Sequence, residues 1–271
     1  MGRPARLIRS PAAPGAVNMA ADEALLRACA AGEAPPTLRF YAWDPPAVSL
    51  GYFQPLDRAV DREACRELGI DVVRRPTGGR ALLHHLEVTY CLVVPRALLP
   101  DSVVESHRRI SAGLARGLRR LGVEAVLAAG TRRVRPAVAG SAACFDAPGA
   151  YEVTVRGRKL VGSAQVRQGD AVLEHGSILL SFVPELHARV LRGLPGEGHQ
   201  RGEFLRRQVI ALDEILGRRV TATEVQQAVA EGLAAELGLD WEEGEMTPAE
   251  RALAAGLERD KYGHPAWTER R

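Results

Sequence analysis

The sequence predicts an α+β fold in which a mixed, mostly antiparallel sheet is flanked by helices and followed by a helical C-terminal region. Alternating and β-branched runs such as Glu87–Pro95 predict strands. Short turns between neighbouring runs predict antiparallel pairing. From Pro184 onward the pattern is helical with short connections. Because no linker is long enough to separate two units, we expect one domain over residues 1–271, with a helical part over 184–271.

The N-terminal third alternates helix and strand patterns. Asn18 is a good N-cap for an apolar stripe that runs through Met19, Leu26 and Cys29, which predicts the first helix. Strands are predicted over Thr37–Tyr41 and Ala47–Tyr52, a short helix over Leu56–Leu68, and a strand from Asp71 into the arginine pair before Pro76. The aromatic residues of these strands could line a pocket or fill the core.

A glycine turn follows the strand that begins at Asp71. Gly78 and Gly79 would let the backbone approach a ligand closely, and neighbouring arginines could hold an anionic group. On spacing alone the pair could equally form a plain hairpin turn. His84 and His85 come next, but adjacent residues of a strand point to opposite faces, so we expect no metal site there.

The second half begins with the amphipathic helix Ser102–Leu121, which ends before Gly122. We then expect a strand over Val123–Leu127 and a loop over residues 128–141. A three-strand meander follows, with strands over Tyr151–Arg156, Lys159–Arg167 and Ala171–Phe182. The C-terminal helices are predicted over Glu185–Leu194, Phe204–Leu216, Glu224–Leu237 with Thr221 as cap, and Pro248–Arg259.

The composition and the apolar runs of the sequence argue against several classes of protein. A net charge of +3 without a block of like charges gives no support for nucleic-acid binding. No apolar run reaches the length of a membrane span, and the start lacks the apolar centre of a secretory signal, so we expect a cytoplasmic protein. The four cysteines form no C-x-x-C pair, which argues against structural zinc and disulfides.

One cysteine and one lysine are candidates for a catalytic role. Cys29, Cys65 and Cys91 each fit a packing position, whereas Cys144 lies in a loop. A free thiol has a pKa of about 8.5, so a nearby cation or base must raise its thiolate fraction. Lys159 is one of two lysines among 36 basic residues, and lysine, unlike arginine, can lose its proton. Lys159, His84, His85 or His175 could each be that partner.

Four blocks of sequence carry a resemblance to a known family. They are RRPTGGRALLH (74–84), ACFDAP (143–148), GRKLVGSAQVRQ (157–168) and LEHGSILL (173–180). In this order they resemble the biotin/lipoate protein ligase superfamily, and within it the LipM group of lipoyl (octanoyl) transferases. NMAADEALL (18–26) and the final KYGHPAW also fit, so the resemblance extends over nearly the whole chain.

The resemblance implies a biotin/lipoate protein ligase-like catalytic domain and a set of site residues. Cys144 corresponds to the acyl-accepting cysteine and Lys159 to the lysine that lowers its pKa. The substrate-binding positions that it implies are Arg74, Arg75, Gly78, Gly79, Arg80, His84, Gly162, Ser163, Ala164, His175, Gly176 and Ser177. It implies transfer of octanoyl from octanoyl acyl carrier protein to a lysine of a lipoyl-domain protein, such as glycine cleavage H protein or a dehydrogenase E2 subunit. No cofactor, metal, nucleic acid or membrane is implied.

The chain departs from the family pattern at two points, and three alternatives stay open. His85 stands where the family often has Asp, and Arg80 stands where ATP-dependent lipoate ligases carry a third glycine. Arg80 and Cys144 together weigh against adenylation chemistry. The alternatives are an amidotransferase that moves octanoyl between lipoyl domains, an ATP-dependent lipoate ligase, and a binding protein without activity.

Overall fold

The computed structural model describes residues 2–128 and 151–270. The strands are β1 (Arg3–Arg9), β2 (Thr37–Tyr41), β3 (Ala47–Leu50), β4 (Asp71–Arg74), β5 (Leu82–His84), β6 (Glu87–Pro95), β7 (Val126–Leu127), β8 (Val153–Val155), β9 (Arg158–Lys159), β10 (Val161–Gln168), β11 (Ala171–Leu179) and β12 (Leu239–Glu243). The helices are α1 (Gly15–Ala30), α2 (Leu56–Ala59), α3 (Arg62–Glu67), α4 (Val103–Arg120), α5 (Pro184–Val190), α6 (His199–Gln208), α7 (Leu212–Leu216), α8 (Ala222–Leu237), α9 (Pro248–Leu257) and α10 (Pro265–Thr268). No helix within these residues is long and apolar enough to cross a membrane.

A six-stranded sheet forms the centre of the fold, with strand order β10-β11-β6-β2-β1-β12. The four strands from β10 to β2 pair antiparallel, whereas β1 pairs parallel with both β2 and β12. The prediction of a mixed, mostly antiparallel sheet flanked by helices is confirmed.

The central strand β6 shows why this sheet is buried on both faces. Tyr90 and Leu92 belong to one apolar cluster, to which α4 and α8 contribute. Cys91 and Val93 belong to a second cluster, to which α1 and α9 contribute. Because successive strand residues point to opposite faces, an uninterrupted apolar run is what a strand between two helical layers requires.

Two smaller sheets complete the part of the chain that the structure describes. In one, β3 lies between β4, its parallel partner, and β5, its antiparallel partner. The loop between β4 and β5 contains Gly78 and Gly79, so this sheet holds both ends of the glycine turn. In the other, β8 lies between β7 and β9.

Several predicted boundaries differ from the structure. The sequence pattern does not predict β1 or β12. Helix α1 begins at Gly15, so Asn18 lies inside it and is not its N-cap: its side-chain amide donates to the carbonyls of Ala13 and Ala42. The predicted helix Leu56–Leu68 is two helices, since Val60 is extended. The predicted Phe204–Leu216 helix likewise divides into α6 and α7.

The predicted meander also changes sheet part-way. Only Arg158 and Lys159 pair back with β8 as a hairpin. After Leu160 the chain joins the six-stranded sheet, where β10 pairs with β11 along eight residues. Lys159 therefore belongs to the β7-β8-β9 sheet, whereas Gly162 lies on β10, the edge strand of the six-stranded sheet.

Candidate functional site

A pocket opens where the six-stranded sheet, the β3-β4-β5 sheet and α1 meet. We call it the central pocket. It is lined by Met19, Tyr41, Trp43, Ser49, Arg75, Leu82, His84, Thr89, Gly162, Ser163, Ala164, His175 and Gly176. Seven of these were predicted as substrate-binding positions, and they come from four separate strands or loops.

Small residues on β10 and β11 leave room for this pocket. Ser163 lies opposite Gly176, and Ala164 lies opposite His175 in the antiparallel register. A Cβ atom on Gly176 would overlap the carbonyl oxygen of Gly162 and lie 2.7 Å from Cε1 of Tyr90. The glycine is therefore required by the close approach of these groups, not by its backbone angles.

Arg75 lines the pocket and fixes the glycine turn. Its guanidinium is buried and donates to the carbonyl oxygens of Gly78 and Arg80, at 2.7 and 2.9 Å from Nη2. Gly79 has a φ of +89°, which favours glycine, and the turn packs against Gly51 closely enough that a Cβ there would overlap the Gly79 carbonyl. Arg75 thus determines the shape of the turn from within.

The same guanidinium begins two chains of hydrogen bonds, each of which ends on a carboxylate. In the first, Nε donates to Thr77 Oγ1 at 3.1 Å, Thr77 Oγ1 lies 2.8 Å from His175 Nε2, and His175 Nδ1 lies 3.0 Å from Asp22 Oδ2. Asp22 also accepts from Arg39 and Tyr41, each at 2.8 Å. Its pKa is lowered: burial opposes this, but the bonds to His175, Arg39 and Tyr41 outweigh it.

The second chain is a near copy of the first. Arg75 Nη1 donates to Ser49 Oγ at 3.1 Å, Ser49 Oγ lies 2.8 Å from His84 Nε2, and His84 Nδ1 lies 2.7 Å from Glu87 Oε1. Glu87 is buried and also accepts from Thr89 and Ser177. Its pKa is lowered despite burial, first by His84 and then by these hydroxyls. Ser177, a predicted site residue, therefore supports the pocket from behind.

These chains place each histidine between a hydroxyl and a carboxylate. Nε2 of each ring faces a hydroxyl that accepts from Arg75, and Nδ1 faces a carboxylate, which can only accept. The Nδ1 proton of each imidazole is therefore donated to a carboxylate. Burial lowers the pKa of His175, which agrees with a neutral ring.

As a result, a pocket lined by several polar residues offers an apolar interior. The hydroxyls and both imidazoles bond to one another or to buried groups. Trp43 stacks on His84 with ring centroids 4.0 Å apart, and its Nε1 donates to Thr89. What faces the pocket is mostly ring and methyl carbon, which suits a hydrocarbon chain.

Arg74 has a different position from its neighbour Arg75. It is fully buried and donates to the main-chain carbonyls of Gly51, Tyr52, Gln54, Trp267, Thr268 and Arg270. The indole of Trp267 returns a hydrogen bond to the Arg74 carbonyl at 2.8 Å. Arg74 therefore joins the C-terminal segment to the loop after β3, and its predicted contact with substrate stays a prediction.

The remaining predicted residues are not among those that line the central pocket, and one of them lies outside the described residues. Gly78 lines a neighbouring groove with the exposed Phe53, and Arg80 is half-buried. Lys159 is buried on β9, with its Nζ 2.5 Å from Glu152 Oε1. Cys144 and the predicted loop 128–141 lie, apart from Ala128, among residues 129–150, outside the described part of the chain.

The other three cysteines are buried. Burial raises the pKa of the Cys29 and Cys65 thiols to about 11 and that of Cys91 well above its ordinary value. At neutral pH these thiols are protonated and inert, which agrees with their interpretation as packing residues.

Comparison with known proteins identifies the family. The model of the lipoyl protein ligase A/B catalytic domain matches residues 14–234. The chain belongs to the lipoyl protein ligase A/B family. Two relatives with 98% coverage of both chains are the octanoyltransferases LipM of Kyrpidia tusciae, at 48% identity, and of Symbiobacterium thermophilum, at 46%.

Solved structures of the ligase A/B family share the fold. The archaeal bi-partite lipoate protein ligase of Thermoplasma acidophilum has a TM-score of 0.83 and 25% identity, with 98% of this chain and 96% of that chain covered. A lipoate-protein ligase A bound with ATP has a TM-score of 0.81 and 25% identity, with 99% of each chain covered. The predicted ligase-like fold is confirmed.

Sequence reasoning missed several residues that shape the pocket of this ligase A/B family member. The sequence pattern treats Asp22 as an acid in the first turn of a helix, and it does not single out Thr77, Ser49 or Glu87. One signal was present for Asp22, because it stands between Met19 and Leu25, both of which are buried. An acid within an apolar stripe indicates a buried partner, which here is Arg39.

Proposed function

We propose that the chain is an octanoyltransferase that acts in protein lipoylation through an octanoyl thioester on Cys144. The donor is octanoyl acyl carrier protein, and the acceptor is a lysine of a lipoyl-domain protein such as glycine cleavage H protein or a dehydrogenase E2 subunit. The observation that carries the proposal is the central pocket, whose polar groups bond among themselves and leave an apolar interior beside Gly162–Ala164. The full-length likeness to LipM octanoyltransferases supports the same reaction.

The reaction has two acyl transfers. The Cys144 thiolate attacks the thioester carbonyl of the donor, the carbon–sulfur bond to the donor breaks, and the donor leaves as a thiolate. A neutral acceptor amine then attacks the new thioester, loses a proton and releases the Cys144 thiolate. Exchange of one thioester for another is nearly isoenergetic, whereas amide formation is downhill, so the sequence needs no ATP.

The pocket would supply binding energy and selection by chain length. At about 0.8 kcal/mol for each buried methylene, the six methylenes of an octanoyl group contribute about 5 kcal/mol in all. Backbone N–H groups near Gly78–Gly79 or Gly162–Ser163 would stabilise the oxyanion, a contribution whose loss costs about 10² to 10³ in rate.

Intact-protein mass spectrometry after incubation with octanoyl acyl carrier protein tests this proposal. We expect the wild type to gain the mass of one octanoyl group and to lose it on addition of an acceptor domain. Cys144→Ser should show no thioester, and Cys65→Ala, at a buried thiol, is the matched control that should behave as wild type. Equal mass gain in Cys144→Ser would overturn the assignment.

The same assay separates the alternatives. Transfer that survives Cys144→Ala and requires ATP would indicate a ligase instead. Acylation of Cys144 by an octanoylated lipoyl domain, but not by the carrier protein, would indicate an amidotransferase. Absence of any adduct with either donor would leave a binding protein.

A further inference from the structure

The C-terminal segment, which we define as residues 261–270, begins with a sequence block that the proposed reaction does not use. This block, KYGHPAW, contains Lys261 and Tyr262 at its start. Both residues contact Glu23 of α1, whose Oε2 accepts from Lys261 Nζ at 2.5 Å and from the hydroxyl of Tyr262. The Glu23 side chain is buried. The first part of the C-terminal segment is therefore held on α1 by a buried carboxylate.

The Arg74 guanidinium connects the rest of the C-terminal segment to the loop after β3 (residues 51–54). Nη1 donates at 2.7–3.2 Å to the carbonyls of Gly51, Tyr52 and Gln54. Nε and Nη2 donate at 2.8–3.2 Å to the carbonyls of Trp267, Thr268 and Arg270. Because Arg74 is fully buried and all three of its side-chain nitrogens bond to main-chain carbonyls, this geometry favours a connecting role over contact with substrate.

Side chains join the same two stretches of chain. Trp267 Nε1 donates to the Arg74 carbonyl at 2.8 Å, and the indole meets the Tyr52 ring edge-on, with centroids 5.8 Å apart. The guanidinium carbon of Arg270 lies 3.7 Å from the centroid of the Tyr52 ring. The loop after β3 and the C-terminal segment thus form one packed unit.

This loop in turn contacts the glycine turn. The Tyr52 N–H donates to the Thr77 carbonyl at 2.8 Å, and Gly51 packs directly on the carbonyl of Gly79. The Thr77 hydroxyl lies 2.8 Å from Nε2 of His175, which lines the central pocket. A continuous set of contacts therefore extends from the C-terminal segment through Arg74 to the pocket.

We propose that Arg74 is a positioning residue through which the C-terminal segment holds the glycine turn in the form that receives the acyl donor. The effect on the donor rests on the proposed function, whereas the effect on the turn does not. When this support is weakened, the turn is preformed in a smaller fraction of molecules, and the apparent affinity for the donor falls by that fraction. A saturating donor restores the turn, so the maximal rate is kept.

Trp267→Phe tests this inference, because it keeps an aromatic ring but removes the N–H that bonds to the Arg74 carbonyl. Trp241→Phe is the matched control. Trp241 Nε1 donates to the Ala230 carbonyl at 2.7 Å, between β12 and α8. Each variant loses one hydrogen bond from an indole to a carbonyl, and only the bond of Trp267 belongs to the contacts that reach the glycine turn.

In hydrogen–deuterium exchange of the full chain, we expect Trp267→Phe to raise the exchange rates of peptides that cover residues 51–54 and 76–80 by about two- to tenfold, as for the loss of one hydrogen bond. Peptides from β6 should keep their rates, which a general loss of stability would not allow. The KM for octanoyl acyl carrier protein should rise by a similar factor, while kcat changes by less than about twofold. Trp241→Phe should change neither these two peptides nor the KM.

Unchanged exchange of both peptides in Trp267→Phe, or a rise that Trp241→Phe reproduces, would overturn the inference. Faster exchange with an unchanged KM would overturn its effect on the donor. If Trp267→Phe does not fold, Arg270→Gln removes the cation over Tyr52 and gives the same test, with a smaller rise expected. The two proposals fail separately. Faster exchange of the turn without any adduct on Cys144 contradicts the proposed function alone, and an adduct on Cys144 with unchanged exchange contradicts this inference alone.

Discussion

At the scale of single residues, Arg75 is the group on which the pocket depends. Its fork of fixed donors holds two hydroxyl groups, each of which contacts the Nε2 atom of a histidine. Each imidazole is anchored on its other side by a carboxylate. A permanently charged group thus joins the two hydrogen-bonded chains that support the pocket walls.

Replacement of Thr77 tests this arrangement. Thr77→Val keeps the shape but removes the hydroxyl that links Arg75 to His175, which leaves a buried Nε2 without this donor. We expect a loss of about 1–3 kcal/mol in the free energy of unfolding, measured by urea denaturation. Thr77→Ser keeps the hydroxyl and is the control. Equal stability of the Val variant and wild type would contradict the role given to this link.

The predictions from sequence included much of the pocket lining but not the buried acids that hold the lining histidines. His84, His175 and the small residues of β10 and β11 stand in compact motifs that could be recognised locally. Asp22 and Glu87 act on them from α1 and from the start of β6. Asp22 lies 153 positions from His175, and no local pattern states that these two side chains meet. Such supports become visible only after the sheets are assembled.

At the scale of elements, glycines set how closely α4 and α8 cross. A Cβ on Gly117 would overlap the Ala228 carbonyl and lie 2.8 Å from the Val229 Cα atom. A Cβ on Gly232 would lie 2.6 Å from the Gly117 Cα atom. The two backbones therefore touch, and the helices lie close enough to cover one face of the sheet together.

Gly117→Ala should accordingly destabilise the protein although alanine favours helices. We expect the forced separation to cost about 1–3 kcal/mol, beyond the gain of about 1 kcal/mol in helix propensity. Gly256→Ala is the matched control: Gly256 lies in α9 with open space where the alanine methyl group would lie, so this change should stabilise by about 0.5–1 kcal/mol. Urea denaturation of both variants gives the comparison, and opposite signs are expected.

Elements with strong periodicity were predictable and those defined by their partners were not. β2 and β6 match their predicted bounds because their sequences favour strands by themselves. β12 reads LDWEE, with three acids, and becomes a strand by pairing with β1. The break at Val60 has a similar cause, since this residue bridges to Leu191, far along the chain. For β12 and for Val60, pairing with residues far away in the sequence determines the backbone conformation, because local propensity does not.

At the scale of the whole molecule, buried histidines make stability depend on pH. His187 is buried, its Nδ1 donates to the Val183 carbonyl, and its Nε2 has no partner among the described residues. Burial lowers its pKa to about 4. The pKa of His175 is also lowered by burial. The pKa of His107 is raised by Glu174 and changes stability in the opposite direction.

The direction in which stability changes with pH follows from the difference in proton binding between the folded and unfolded chain. Between about pH 6.5 and pH 4 the unfolded chain binds a proton at His187 that the folded chain excludes, so stability is full above pH 6.5 and falls as pH falls. A difference of about 2.5 pH units corresponds to about 3 kcal/mol. We expect His187→Leu to reduce this slope in urea denaturation between pH 7 and pH 4, and the exposed His199→Gln to leave it unchanged. An unchanged slope in His187→Leu would contradict this account.

The use of lysine in this chain has a consequence for side reactions. A protein that holds an acyl thioester is at risk of acylating its own amines, because any neutral amine nearby competes with the intended acceptor. Here arginine replaces lysine at nearly every basic position, and guanidinium groups do not form stable amides under these conditions. The two lysines present are each held against a glutamate, at 2.5 Å. In the proposed reaction, this composition leaves few side-chain amines of the chain itself to compete with the lysine of the proposed acceptor.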